Sequence, residues 1–289
     1  MRISDISYRY PQTDRYVLQD VSIAFKNKCV YGLIGPNGAG KTTLLSILAG
    51  IRKPLSGKVD TASIPGLLIQ NTDMYEEASG RENLELFCIQ ARMPLENIDY
   101  VLHLVGVDQK NANKAYKNYS QGYKQRLLLA RSFLPRKGLI ILDEPFTNVD
   151  VDTIKIIKRA IDTLVCQNEV VVILSSHQLR EIEDVVDEVI FVSDGKVVAE
   201  VNYSQENLSE HNYVVINSSD TLQIKELVEN TGLIKQVEIQ DKWILLELSD
   251  QASCNEILYM ILRNGCSWVK IEKYRPLEYM YHKFIGDAS

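Results

Sequence analysis

Residues Gly35 to Thr43 read GPNGAGKTT, a spacing that fits G-x-x-x-x-G-K-[ST]. The chemistry of that pattern is a grip on a polyphosphate. Gly35, Gly38 and Gly40 let the backbone curl so that amide N–H groups converge on phosphate oxygens. Asn37 and Thr43 belong to the same loop, Lys41 is suited to bridge β- and γ-phosphates, and the Thr42 hydroxyl is suited to Mg²⁺. A flexible glycine-rich turn is the bland alternative, and the flanks argue against it. The apolar run Val30 to Ile34 precedes the loop, and Leu44, Leu45, Ile47 and Leu48 follow on helical spacing. Strand, glycine loop and helix is the context phosphate binding requires, with the helix N-terminus adding its dipole.

A second constellation lies downstream. Leu139-Ile140-Ile141-Leu142 is followed by Asp143 and Glu144. A buried strand would deliver Asp143 beside a magnesium ion whose charge compensates the carboxylate. Glu144 is then suited to orient or deprotonate an attacking water. Alone, an apolar strand ending in two acids is commonly just a strand leaving the core; the upstream loop gives it weight.

The elements that must position these residues follow from periodicity. Strands are expected at Ile3 to Tyr10, Val17 to Phe25, Leu139 to Leu142 and Val170 to Leu174, with mostly helical spacing from about Met74 to Phe133. Strands alternating with helices imply a mainly parallel sheet covered on both faces. Val189 to Val192 and Lys196 to Glu200 close a hairpin through Asp194-Gly195. After about Glu206 the order becomes strand, helix, hairpin (Lys235 to Ile239, Trp243 to Leu248), helix, strand and closing helix, a βαββαβ unit of ferredoxin-like type. The expected division is a large α/β domain over residues 1–205, with a helical subdomain at about 72–135, and a small α+β domain over 206–289.

With 289 residues, 45% hydrophobic and 24% charged, the chain has ordinary globular composition. A net charge of −6 offers no general attraction to a phosphate backbone, so no nucleic-acid partner is expected. Cys29, Cys88, Cys166, Cys254 and Cys266 are odd in number and contain no C-x-x-C pair, which favours idle thiols in a reducing compartment. The start MRISDISYRY lacks the apolar core of a signal peptide, and no run approaches the 18 or so apolar residues of a membrane span. Contact with a membrane is expected through a partner, on its cytoplasmic face.

Over residues 1 to about 200 the chain resembles the ABC transporter ATPase family. Asn118-Tyr119-Ser120-Gln121-Gly122-Tyr123-Lys124-Gln125-Arg126 is similar to the family's LSGGQ-type signature, with Ser120 and Gly122 matching. Gln121 stands for the first glycine and Tyr123 for the usual glutamine. If position 121 required positive φ, Gln would cost about 1–2 kcal/mol there. By the same resemblance, Gln70 is the glutamine that contacts magnesium and water, and His177 the histidine that reaches the γ-phosphate. Asp150, in Thr147-Asn148-Val149-Asp150, bridges subunits, and Tyr10 stacks on adenine. Each also has an ordinary structural reading, strand packing being the one for Tyr10 and its neighbour Tyr8.

The resemblance implies an α/β P-loop NTPase fold of ABC type, with an antiparallel β subdomain and a helical subdomain. It also implies ATP and Mg²⁺ as ligands, and a nucleotide sandwiched between the loop of one subunit and the signature of another. One copy of each motif cannot complete its own site, so a second ATPase chain, identical or related, is expected beside a transmembrane permease. Met74 through Leu84 is similar to a pattern of drug, bacteriocin and antibiotic exporters, and Pro276 to Phe284 to that group's tail, or else forms a plain amphipathic closing helix. The competing readings are a non-transport remodelling ATPase and a weakly hydrolytic regulatory subunit.

Overall fold

The computed structural model describes residues 1–11, 13–60, 65–68, 74–176, 178–203, 212–250 and 253–286. The chain divides into two compact units, Met1–Asn202 and Tyr203–Ser289.

The first unit begins with β1 (Arg2–Tyr8), β2 (Leu18–Ala24), β3 (Cys29–Ile34), α1 (Lys41–Leu48), β4 (Ser56–Asp60) and β5 (Gly66–Leu68). A helical stretch follows: α2 (Gly80–Ala91), α3 (Asn97–Leu104), α4 (Gln109–Ala112) and α5 (Gln121–Phe133). It closes with β6 (Gly138–Asp143), α6 (Val151–Gln167), β7 (Val170–Ser175), α7 (Leu179–Ile182), β8 (Glu188–Ser193) and β9 (Lys196–Asn202).

The apolar runs become the centre of a sheet ordered β5-β6-β7-β3-β8-β9, parallel except for the antiparallel β8/β9 hairpin. β3, β6 and β7 are buried almost throughout, as strands covered on both faces must be. A second sheet, β2-β1-β4, is antiparallel, and its alternation sends Ile3, Ile6, Val21 and Ile23 inwards. These residues pack with Leu44, Leu45 and Leu48 of α1 and with Leu139, Ile141 and Ile173, so that α1 is embedded in one continuous core. Strand β4, Ser-Gly-Lys-Val-Asp, is polar and mostly exposed, an edge without the alternation that makes a strand visible in sequence.

Side chains cap the starts of α2, α4 and α5 in the helical stretch. Ser79 and Glu82 form a reciprocal capping box at the start of α2, Glu82 Oε2 accepting from the Ser79 amide at 2.7 Å. That hydrogen bond holds the Glu82 carboxyl below the usual range. Asp108 caps α4, and Ser120 caps α5.

The second unit contains β10 (Asn212–Asn217), α8 (Thr221–Val228), β11 (Ile234–Gln240), β12 (Trp243–Leu248), α9 (Ser253–Arg263), β13 (Lys270–Tyr274) and α10 (Pro276–Ile285). Its antiparallel sheet is ordered β11-β12-β10-β13, the split arrangement of a βαββαβ unit. Val214, Ile216, Ile244 and Leu246 pack with Ile224 and Val228 of α8 and Ile257 and Ile261 of α9. Tyr279 of α10 stacks on Tyr213 of β10, with centroids 4.0 Å apart. Ser267 lies outside the last strand, which starts at Lys270. Its amide and hydroxyl donate to Asp220 Oδ2 at 2.7 and 2.6 Å.

Ile141 is fully buried in β6 where α1 and the central strands meet. Ile141→Ala is expected to destabilise the first unit by about 2–5 kcal/mol. Urea unfolding of the whole chain should show a lower midpoint for that unit with an unchanged slope.

Candidate functional site

At the carboxyl end of β3 the chain turns through residues 35–40 into α1. Gly40 is the N-cap of α1 with φ 99°, and a Cβ there would lie 2.7 Å from the Val17 carbonyl oxygen. Only glycine meets both demands. Lys41 folds back over the loop, Nζ donating to the Gly35 oxygen at 2.6 Å and the Pro36 oxygen at 3.0 Å. Burial pushes its pKa down, with the charges of Glu144 and Asp143 opposing.

β6 lies two strands from β3, with β7 between them. Asp143, at the end of β6, is in register with Ser175 at the end of β7. The Ser175 hydroxyl donates to Asp143 Oδ1 at 2.5 Å, and the Glu144 amide donates to the Ser175 hydroxyl at 3.2 Å. Glu144 departs from the strand with φ 54°, a left-handed conformation costing about 1–2 kcal/mol for a residue with a Cβ. The turn aims its side chain off the sheet, where Oε2 accepts from Thr147 Oγ1 at 3.3 Å.

These pieces converge on one cavity of about 410 Å³, lined by Tyr10, Val17, residues 37–43, Asp143 and Glu144. The predicted Asn37, Gly38, Gly40, Lys41, Thr42, Thr43, Asp143, Glu144 and Tyr10 are thus brought together, with Gly35 at the loop's entrance. Gln70 and His177 lie outside the described residues. Val17 and Ser175 were not singled out by sequence. Val17 has an apolar side chain with no chemistry to mark it, and Ser175 was visible as a serine ending an apolar strand.

Ser120, Gln121, Gly122 and Asp150 do not line this cavity. Ser120 and Gln121 are exposed at the start of α5, where Ser120 Oγ accepts from the Tyr123 amide at 3.4 Å. Gln121 takes the first helical position and is not among the residues with positive φ, so its replacement of glycine carries no strain. Tyr123 turns into the helical stretch. Its hydroxyl accepts from Asn111 Nδ2 at 3.2 Å, and the Arg126 guanidinium lies over its ring, 3.9 Å from the centroid. Asp150 is the N-cap of α6, accepting from the Thr153 amide at 2.8 Å, which holds its carboxyl below the usual range. A Cβ on Gly122 would sit 2.8 Å from Thr153 Oγ1, so glycine lets α5 approach the start of α6.

Among the described residues no group of three or more His, Cys, Asp or Glu side chains could hold a metal. One buried carboxylate, Asp143, and one exposed hydroxyl, Thr42, line the same cavity. That sparse oxygen set suits Mg²⁺, which keeps several waters and is completed by substrate phosphates, better than a metal needing a protein cage.

A fold of this kind, with a phosphate loop and paired carboxylates at the ends of two parallel strands that flank a third, defines a P-loop nucleoside triphosphatase. The sequence model described as "ABC transporter" matches residues 18–147. The bacitracin transport ATP-binding protein of Bacillus licheniformis is 30% identical over 283 residues, covering 93% of this chain and 92% of that protein. A lantibiotic transport ATP-binding protein of Streptococcus pyogenes is 30% identical over 221 residues, 73% of this chain and 94% of its own length. The chain belongs to the ATP-binding proteins of ABC transporters, and it is an ATPase of that family. Solved folds agree. The ATP-binding subunit of an ABC transporter superposes with a TM-score of 0.61 at 23% identity, covering 70% of this chain and 89% of that one. A dimeric cassette in a post-hydrolysis state with ADP and Pi gives 0.61 at 21%, covering 70% of this chain and 98% of that one.

Replacing Ser175 by alanine removes the donor to a buried carboxylate. Ser175→Ala is expected to cost about 1–3 kcal/mol, read as a lower thermal midpoint of the nucleotide-free chain.

Proposed function

We propose that the chain binds MgATP in the cavity at the ends of β3 and β6 and hydrolyses it as one half of a closed pair. The carrying observation is the convergence of the phosphate loop, Asp143 and Glu144 on one cavity, together with an exposed signature segment outside it. The loop amides and Lys41 hold the β- and γ-phosphates, Thr43 contributes to the phosphate grip, and Tyr10 stacks on adenine. Lys41 must exchange its carbonyl partners at Gly35 and Pro36 for phosphate oxygens, which compensates a buried cation with an anion. Thr42, Asp143 and Gln70 would hold Mg²⁺, which when bound supplies charge neutralisation across the phosphates. Glu144, set off the strand by its left-handed turn, orients the attacking water and accepts its proton, with His177 reaching the γ-phosphate. Ser120 and Gly122 of a second chain, identical or related, complete the site, and Asp150 reaches across the pair.

The exposed signature supports this pairing, as does the cassette relative described as dimeric. A separate membrane permease is the partner. No helix among the described residues is long and apolar enough to cross a membrane. A groove of about 230 Å³ lined by Met74, Tyr75, Leu86, Phe87, Gln90 and Arg131 offers a receptor for a permease segment. Tyr75 and Leu86 leave 60% and 39% of their surface exposed there, an unpartnered apolar surface in the segment that resembles exporters. Asn83 pins that segment to α2, accepting from the Tyr75 amide at 2.7 Å and donating to its carbonyl at 3.1 Å. Export is favoured because the relatives are named for transport of bacitracin and of a lantibiotic. The second unit is proposed as an accessory domain that steadies or tunes the pair.

Glu144→Gln keeps the shape of the side chain and removes its basicity. Turnover is expected to fall by about 10²- to 10⁴-fold while MgATP still binds. The variant should move from monomer to dimer on size exclusion when MgATP is added. Wild-type turnover in this variant, or an absence of any ATP-dependent shift, would remove the composite catalytic site.

A further inference from the structure

Tyr10 is constrained on three sides. Its hydroxyl lies 3.1 Å from Thr43 Oγ1, and its ring meets that of Tyr8 edge to face with centroids 5.3 Å apart. The Arg52 guanidinium lies over the ring, 5.0 Å from the centroid. Arg52 is itself fixed, its Nη1 donating to the Tyr8 hydroxyl at 3.3 Å. Tyr10 lines the nucleotide cavity beside Val17 and the phosphate loop, whereas Arg52, from the segment between α1 and β4, does not.

We infer that Arg52 is a positioning residue for the nucleobase, acting through the Tyr10 ring by backing the face turned away from the cavity. The inference rests on the reading that ATP occupies this cavity with adenine on Tyr10, and it adds a residue that neither the phosphate grip nor the hydrolytic step uses. Three physical effects support it. The cation is attracted to the ring's negative face, which at an exposed site amounts to about a 2- to 5-fold effect on an equilibrium. Together with the Thr43 contact it restrains the ring before the base arrives, so less ordering remains to be done on binding. It also draws π-density towards itself, leaving the opposite face better suited to stack with an electron-rich purine. The Thr43 contact further sets the ring in register with the phosphate loop, since Thr43 lies two residues beyond Lys41.

The test compares MgATP with magnesium inorganic triphosphate, which has the phosphates and no base. Both are titrated into the full-length chain as wild type, Arg52→Ala, Arg52→Lys, Tyr10→Leu and the Arg52→Ala/Tyr10→Leu double variant. Arg52 is exposed, so its replacement leaves folding intact. Arg52→Ala is expected to weaken ATP binding about 2- to 5-fold and leave triphosphate binding unchanged, with Arg52→Lys recovering part of the loss. In the Tyr10→Leu background, removing Arg52 should have no further effect, because the coupling runs through the ring. Four results would overturn the inference. Unchanged or tighter ATP binding by Arg52→Ala would mean that the guanidinium merely occupies the face the base needs. Equal weakening of both ligands would mean general damage to the site, and the same loss in the Tyr10→Leu background would show that the ring is not the intermediary. Wild-type ATP affinity in Tyr10→Leu itself would remove base stacking on Tyr10 and this inference with it, a failure distinct from a wild-type chain that binds neither ligand.

Discussion

The level at which three parallel strands end is the constraint on which the site depends. In the registers of β3, β6 and β7, Leu33 and Asp143 both face Ser175 of the strand between them. The phosphate loop therefore begins beside the point where Asp143 and Glu144 leave the sheet. Because successive side chains in a strand alternate faces, a one-residue slip of β6 would turn Asp143 away from the cavity and break its hydrogen bond from Ser175. Near-complete burial of these strands makes such a slip costly, since every apolar side chain would change environment together.

Against that rigid base, the site holds several unfavourable local arrangements. Glu144 adopts a left-handed backbone, Lys41 is a partly buried cation facing carbonyl oxygens, and Asp143 is a carboxylate of which only 8% is exposed. Each would relax if the scaffold allowed it. Each also has its element anchored in the same core, where Leu44, Leu45, Ile141 and Ile173 pack together. Strain that a core over-determines is a form of preorganisation, because the groups are already held in place by the scaffold.

Periodicity exposed most of the fold because most of its elements are one-sided or fully buried. Trp243–Leu248 is a strand with the limits its apolar run implies, and the Asp194-Gly195 pair makes the hairpin turn, both residues having positive φ. Legibility ended where burial did: β4 has one half-buried residue among four exposed ones, and no pattern separates it from a loop. At the site, the residues that line the cavity from the glycine loop and the end of β6 were legible because both motifs set particular residues at fixed spacing. Contacts between distant segments were not. Nothing local to Ser175 tells that it will hold Asp143, and nothing local to Tyr123 tells that its ring will lie under Arg126 rather than face outwards. The altered signature looked costly only on the premise of a left-handed residue at position 121. The helix absorbs Gln121 as an ordinary first-turn residue.

Helix α5 then links regions that a list of motifs treats separately. Its first turn presents Ser120 and Gly122, its second turn sends Gln125 Nε2 to the Pro145 oxygen at 2.8 Å, and Arg131 near its end lines the groove on the helical stretch. Arg131 lies eleven positions beyond Ser120, a rise of about 16 Å along a helix. Gly122 and Arg131 thus belong to one uninterrupted helix, with no loop between them. The Gln125 bond to Pro145 ties the same helix to the segment that carries Glu144. Gly122 adds a second tie, because its missing Cβ lets α5 seat against the Asp150–Thr153 cap of α6. The groove, the segment at Ser120 and the loop that carries Glu144 therefore all attach to α5.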